Sequence, residues 1–408
     1  MRAWPCPPVP TLDFSSPGLR LYDTATDEIR PTAVGDTARI YVCGITPYDA
    51  THMGHAATYV AFDLINRFWR GSGHGVNYVQ NVTDIDDPLL ERAVANDQDW
   101  RQLADGETEA FRDDMFALRV IPPDHYIGAV ESIPGIVDSI QQLQRRGLVY
   151  EVDDDLYFDL SSEPRFGTVA NLSRDVMLEL FADRGGDPQR PGKKDPLDPL
   201  LWQSARPGEP CWSSEIGNGR PGWHVECTSI AGEFLGQPFD VQGGGSDLTF
   251  PHHEMCAALG IAADDVWPFA RLYVHSGMVG YLGQKMSKSE GNLVLVRNLR
   301  DEGRDPMAVR LALLQHHYRD DWEWHDSDLT EAESRLREWR SAAALGAGPS
   351  ATQVCEDIRL ALSDDLGAPA ALAAVDEWVA TALRRGGSDP DSPGLLFTTV
   401  DALLGVTV

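Results

Sequence analysis

The apolar positions change period twice in the first part of the chain. Residues 38–43 (ARIYVC) form a short run of β-formers and predict a strand. After Gly44-Ile45-Thr46-Pro47 the spacing turns helical. Val60, Leu64 and Phe68 recur at every fourth position, so a helix is expected to end near Gly71 or Gly73. Residues 76–82 (VNYVQNV) read as a second strand. Strand, helix and strand in this order make a βαβ unit, which predicts a parallel sheet and an α/β fold. Residues 88–200 carry helices, a strand pair within 148–160 and a Gly/Pro/charge-rich loop at 184–199. This stretch is expected to be an insertion between the halves of the sheet domain. Strand patterns return at 239–241 and 272–274, and the pattern is helical from about Pro306. The Pro- and Thr-rich residues 1–37 read as an irregular lead-in, and 341–353 as a linker or loop. The expected division is therefore a lead-in at 1–37, a sheet domain at 38–320 and an α-helical domain at 321–408.

Composition narrows the function classes. With 408 residues, 42% of them hydrophobic, the chain can bury a real core and form more than one domain. Its 34 Lys+Arg against 63 Asp+Glu leave a net charge of −29, which excludes a globally basic nucleic-acid binder but not a local basic patch. No uncharged apolar run approaches the roughly 18 residues of a membrane span, and MRAWPCPPVP lacks the apolar centre of a secretory signal. A cytoplasmic location without membrane contact is expected. Six widely spaced cysteines fit a cytosolic chain with metal-binding thiols better than a disulfide framework. Lysine occurs only at positions 193, 194, 285 and 288. Two of these fall in one short motif, which suggests a point-charge role.

Three constellations carry candidate chemistry. His52-Met53-Gly54-His55 lies between the first strand and the first helix, at the sheet edge where such folds bind ligands. Two imidazoles at a helix N-terminus can stabilise phosphate charge, although alone the motif reads equally as two surface histidines. Lys285-Met286-Ser287-Lys288-Ser289 suits a loop gripping phosphates, or a basic surface loop. Cys43, Cys227 and His252 offer thiolates and imidazole, a donor set that suits zinc with one position open. By spacing alone they read as buried thiols and a surface histidine.

Together the two nucleotide motifs resemble the signature of class I aminoacyl-tRNA synthetases. The blocks YVCGITPYDATHMGHAATYVAFDLINRF, NVTDIDD, KKDPLDPLLW, PGWHVEC, GGGSDLTFPHHE and KMSKSEGN are similar, in order, to those of cysteinyl-tRNA synthetase across roughly residues 38–320. The resemblance implies a Rossmann-type (HUP-like) catalytic domain with an insertion, followed by a C-terminal helical domain. It implies one zinc ion on Cys43, Cys227 and His252 that binds the substrate thiolate, and ATP with Mg²⁺. His52, His55, Lys285 and Lys288 would be catalytic, stabilising charge on the phosphates. Gly44, Ile45 and Thr46 would line the adenylate pocket, and Thr58, Asn81, Val82 and Thr83 would flank the cysteinyl group. Trp223 would pack beside the metal. Gly245, Ser246 and Asp247 would approach ribose or adenine, and Val279 would meet adenine through its backbone.

The chain departs from that family at three places. The position four residues after His252, a metal-completing Glu in the synthetase, is Cys256, which reads either as a fourth ligand or as a small core residue. Residues 320–408 hold 17 Asp+Glu, six Arg and no Lys, which repels rather than holds tRNA phosphates. The segment Asp183-Arg184-Gly185-Gly186-Asp187-Pro188, together with Ala57, resembles instead the cysteine ligases of mycothiol biosynthesis, a paralogous family. That resemblance implies cysteinyl-AMP formation from L-cysteine and ATP, then attack by the amine of glucosaminyl-inositol (1D-myo-inositol 2-amino-2-deoxy-α-D-glucopyranoside). An amide forms, and no tRNA is expected. Asp247 is a candidate to accept the amine proton, and the 183–188 loop is either a sugar-recognition element or a solvated charged loop. A monomer is expected. The alternatives are cysteinyl-tRNA synthetase itself and a non-catalytic regulatory paralogue.

Overall fold

The computed structural model describes residues 1–12, 17–48, 51–286 and 292–408. An antiparallel hairpin, β1 (Arg20–Asp23) and β2 (Glu28–Pro31), precedes β3 (Thr37–Ile45), helix α1 (Met53–Gly71) and β4 (Gly75–Val82). Helices α2 (Asp87–Ala95) and α3 (Trp100–Ala117) lead to β5 (His125–Gly128) and α4 (Ala129–Arg145). A four-stranded antiparallel sheet follows: β6 (Val149–Val152), β7 (Asp155–Phe158), β8 (Leu200–Ser204) and β9 (Gly219–Pro221), with α5 (Arg174–Asp183) between its second and third strands. Then come α6 (Trp223–Leu235), β10 (Phe239–Gly245), α7 (Glu254–Asp264) and β11 (Ala270–Ser276). Short strands β12 (Val279–Tyr281) and β13 (Gln284–Lys285) precede α8 (Val296–Asp301), α9 (Pro306–Leu314) and β14 (Trp322–Glu323). The chain ends in α10 (Asp326–Ala343), α11 (Thr352–Ser363), α12 (Ala368–Arg385) and α13 (Ser392–Leu404).

The central sheet is parallel throughout, in the order β11-β10-β3-β4-β5. Strand order reverses between β3 and β10. At such a switch point the connections leave in opposite directions and open a crevice beyond the strand C-termini. Cys43 and Gly44 end one of these strands and Gly245 ends the other. At Gly44 the β3–β4 register slips, and a Cβ there would lie 1.6 Å from the Asn81 carbonyl oxygen. Only glycine allows the two strands to close at this point.

Several expected boundaries are corrected. The lead-in contains the β1–β2 hairpin, and Trp4 is buried, donating through Nε1 to the Val120 carbonyl at 2.8 Å. The insertion does not begin at 88, because β5 belongs to the central sheet, paired with β4. Its run is four residues long, too short to carry a clear alternation, and pairing makes it a strand. The antiparallel sheet of the insertion spans 149–221. No separate core marks residues 321–408 as a unit: one apolar core runs from Trp4 to Val406 and includes α1, α9 and the last four helices. Of residues 341–353, the first three close α10 and the last two open α11; only 344–351 form a connection, bridged to Asp389 through Gly348.

Helix α1 is buried on almost every face, between the sheet and the C-terminal helices. Its polar residues therefore need internal partners. Asp63 accepts from Arg67 Nε at 2.6 Å, from Arg310 and from the Ile121 amide at 2.8 Å. All three ionic side chains are fully buried. The guanidiniums spend their other donors on carbonyls: Arg67 on Arg119 and Asp401, Arg310 on Leu118 and Leu404. Burial disfavours charge on Asp63, but the two arginines outweigh it and hold the carboxyl below its usual range. This contribution to stability is present above the unfolded carboxylate value and is lost as pH falls through the lower folded one. Asp63→Asn leaves two buried cations short of their partner. We expect it to lower unfolding stability by about 3–5 kcal/mol, read as a drop in the urea midpoint at pH 7. An unchanged midpoint would contradict this assignment.

Candidate active site and metal centre

The N-terminus of α1 faces the crevice. His52 is its N-cap: Nδ1 accepts from the amides of Gly54 (3.1 Å) and His55 (3.4 Å). An accepting Nδ1 leaves the proton on Nε2, so the neutral ring presents a donor. The His52 and His55 rings stack with centroids 3.9 Å apart. The chain that follows the lysine motif returns to the same place. Met53 donates to the Val294 carbonyl (2.9 Å) and Val296 to that of Thr51 (3.0 Å). Lys285 lies in β13, while its side chain and all of Lys288 lie outside the described residues.

The cleft measures about 440 Å³, within the range of small-molecule sites. Cys43, Gly44, Ile45, Thr46, His52, His55, Thr58, Trp223, Gly245, Asp247 and Val279 all line it. Thr58 also bonds Ser276 at 2.8 Å, tying α1 to β11. Asn81, Val82 and Thr83 are buried and lie outside the lining. The Asn81 side chain accepts from the Gly44 amide (2.8 Å), and its amide donates to Glu226 (2.8 Å). Thr83 donates to the same carboxylate at 2.9 Å. These residues brace the cleft floor. Ser246 is likewise outside the lining. Tyr48, Arg92, Met278, Met286 and Leu293 line the cleft unforeseen. Arg92 sits on α2, where nothing in its helical neighbourhood distinguishes it from a solvated arginine.

At the inner end of the cleft, ligand atoms of Cys43, Cys227 and His252 lie within 4.8 Å of one another, all buried. Three elements converge there: the end of β3, the first turn of α6 and the turn into α7. Burial pushes the Cys227 thiol up, but its hydrogen bond with Cys43 and the His252 imidazole outweigh this and hold it well below the usual range. Cys43 moves the other way, raised by burial and by Cys227. Two buried sulfurs and an imidazole, with one thiol already favouring the anion, fit a soft divalent cation. Cys256 lies one helical turn beyond His252, 3.8 Å from its Nε2, and donates to the His224 carbonyl (3.4 Å). It is outside the three-residue cluster among the described residues.

Further histidines surround the cluster. His224 Nδ1 is 3.0 Å from His252 Nδ1, and the Trp223 ring stacks on His252 at 4.1 Å. A buried chain runs from Cys43 to His253 (3.2 Å), then His275 (2.7 Å), then Thr24 of the hairpin turn (2.7 Å). Burial holds His224, His253 and His275 below the usual imidazole range, so these rings are neutral. Glu226 and His224 precede Cys227 in PGWHVEC, and their signal was proximity to a predicted ligand.

The family model of tRNA synthetases class I (C) catalytic domain matches residues 30–334. The chain is 61% identical over its full length to the L-cysteine:1D-myo-inositol 2-amino-2-deoxy-alpha-D-glucopyranoside ligase of Thermomonospora curvata, and covers all of that protein. It is 58% identical, again end to end, to the protein of the same name in Streptomyces griseus. The chain belongs to this ligase family, built on the class I synthetase catalytic domain. Among solved structures it is similar to the methionyl-tRNA synthetase of Mycobacterium tuberculosis bound to methionyl-adenylate. The TM-score is 0.62 at 16% identity, covering 90% of this chain and 89% of that one. A leucyl-tRNA synthetase of Agrobacterium radiobacter K84 gives 0.63 at 12%, covering 96% and 84%. At such identities these structures establish the fold of the ligase family member and nothing further.

The cluster makes metal content testable. Cys43→Ser, Cys227→Ser and His252→Ala are each expected to lower bound zinc from about one per chain by roughly 10-fold or more under dialysis, measured by mass spectrometry. Cys256→Ser is expected to retain it. Loss of metal in the Cys256 variant alone would move the centre by one helical turn.

Proposed function

We propose that the chain joins L-cysteine to the amine of glucosaminyl-inositol, with ATP converted to AMP and pyrophosphate through cysteinyl-AMP. The observation that carries this reading is that Cys43 belongs to both the metal cluster and the cleft lining, so a sulfur-binding position and a nucleotide cleft form one site. The end-to-end identity with ligases of that name supports the acceptor.

In the first step the cysteine carboxylate attacks the α-phosphate and pyrophosphate leaves. His52 and His55, stacked at the N-terminus of α1, would stabilise charge on the phosphates. Lys285 and Lys288 would neutralise the charge that develops on pyrophosphate, and Mg²⁺ bound with ATP would supply further positive charge there. Gly44, Ile45 and Thr46 hold the adenylate against the end of β3. Gly245 and Asp247 face the ribose, and the Val279 backbone meets adenine. Cys43, Cys227 and His252 would hold a zinc ion, which would supply affinity for the substrate sulfur that a serine hydroxyl does not match. Trp223 and Thr58 close the pocket around the cysteinyl group. In the second step the neutral glucosamine nitrogen attacks the activated carbonyl, AMP leaves, and Asp247 accepts the proton.

The acidic C-terminal helices support a small acceptor. They form part of the central core and carry 17 Asp+Glu against six Arg across 320–408. Purified protein with cysteine, ATP and Mg²⁺ is expected to release AMP and form a cysteinyl amide when glucosaminyl-inositol is added. Total tRNA is expected to give no charging. Charged tRNA with an inert sugar would overturn the proposal.

A further inference from the structure

The insertion and the turn that carries His252 hold each other by two reciprocal contacts. Arg184 follows the last residue of α5. Its Nη1 donates to the Asp247 carbonyl at 2.5 Å and to that of Phe250. In the opposite direction, Glu254 at the start of α7 is buried and accepts three insertion amides: Gly167 (2.7 Å), Val169 (2.9 Å) and Ala170 (2.8 Å). Each contact places a charged side chain among backbone dipoles of the other element. Charge-assisted bonds of this kind are stronger than neutral ones and fix direction as well as distance. The two contacts bracket residues 246–253, which carry the cleft carboxylate Asp247 and the cluster residue His252.

The glycines explain how Arg184 reaches that turn. Gly185 has φ +87°, and a Cβ on Gly186 would lie 2.6 Å from the Phe181 ring, so the chain folds back tightly over α5. The rest of the loop is held from within. Asp187 accepts from Tyr157 (2.5 Å) and Lys193 (2.7 Å), and the Lys193 side chain is only 2% exposed. Asp187 and Lys193 are therefore paired with each other within the loop.

We propose that Arg184 is a positioning residue: it fixes the turn from β10 to α7 so that His252 meets the two thiols and Asp247 meets the cleft. The insertion thus acts as a brace on the amino-acid side of the site. The kinetic arm of the test rests on the ligase reading; the metal arm does not.

The test uses full-length protein loaded with Co²⁺, whose thiolate–cobalt absorbance reports the cluster directly. Arg184→Ala is expected to lose cobalt to a chelator about 10-fold to 100-fold faster than the parent. Its KM for cysteine in ATP–pyrophosphate exchange is expected to rise about tenfold, with the KM for ATP within about twofold. Arg184→Lys keeps the charge and should recover part of both effects. Cobalt loss and cysteine KM both within twofold of the parent would overturn the proposal, as would equal rises in both KM values. If Arg184→Ala does not fold, the same two readouts on Arg184→Lys decide, since the shorter, flexible ammonium side chain lacks the reach and planarity that hold Nη1 on both carbonyls. A parent that shows no exchange but holds cobalt would defeat the ligase reading and leave the brace to be judged on the chelator rates. A parent that takes up no cobalt would overturn the brace as a metal-positioning device.

Discussion

One carboxylate, that of Asp63, is shared by two guanidiniums in the middle of the molecule, and the placement of the helix that lines the cleft follows from it. Arg67 comes from the same helix and Arg310 from α9, and their remaining donors reach the carbonyls of 118–119, 401 and 404. A helix buried on nearly every face has no solvent against which to adjust its polar groups. Its rotation and depth are set by these directional bonds as much as by packing. The other end of that helix presents His52 and His55. The cleft-facing end is therefore oriented from a network three to four turns away, with α1 as the rigid member between them.

The second constraint is closeness at the strand switch. Gly44 lets β3 and β4 approach until the Gly44 amide reaches the Asn81 side chain, and Asn81 in turn meets Glu226 beside Cys227. One chain of contacts thus links the backbone of the cleft floor to α6 and its thiol. The histidine chain from Cys43 to Thr24 does the same on the opposite side, reaching the N-terminal hairpin. Both routes run through buried side chains that are bonded to one another, which fixes the orientation of the groups around the cluster.

Much of this was legible in the residues. The period change through Val60, Leu64 and Phe68 marked α1, which ends at Gly71. The three candidate ligands, separated by up to 209 positions in sequence, meet in space, and only the family resemblance could have foreseen that. What sequence reading missed has physical causes. β5 is too short to show a pattern and becomes a strand by pairing. Arg92 and Tyr48 acquire meaning only from where α2 is placed. Asn81 and Thr83 were assigned to the substrate because their block is a family signature, whereas their side chains are consumed by Glu226. A motif position marks necessity without saying whether the need is contact or support.

The continuous core that joins the first residues to the last carries a consequence for how such a chain can be altered. Trp4 and Val406 belong to the same apolar cluster, and β14 pairs with β12 just ahead of the lysine motif. The molecule is therefore indivisible: a cut near residue 320 would strip α1 of one side of its packing and leave Arg310 without the Leu404 carbonyl. Recombination that exchanges the C-terminal helices would have to exchange the partners of α1 with them. The acidic helices are a structural half of the catalytic body, not an appendage that a different acceptor could lead evolution to replace.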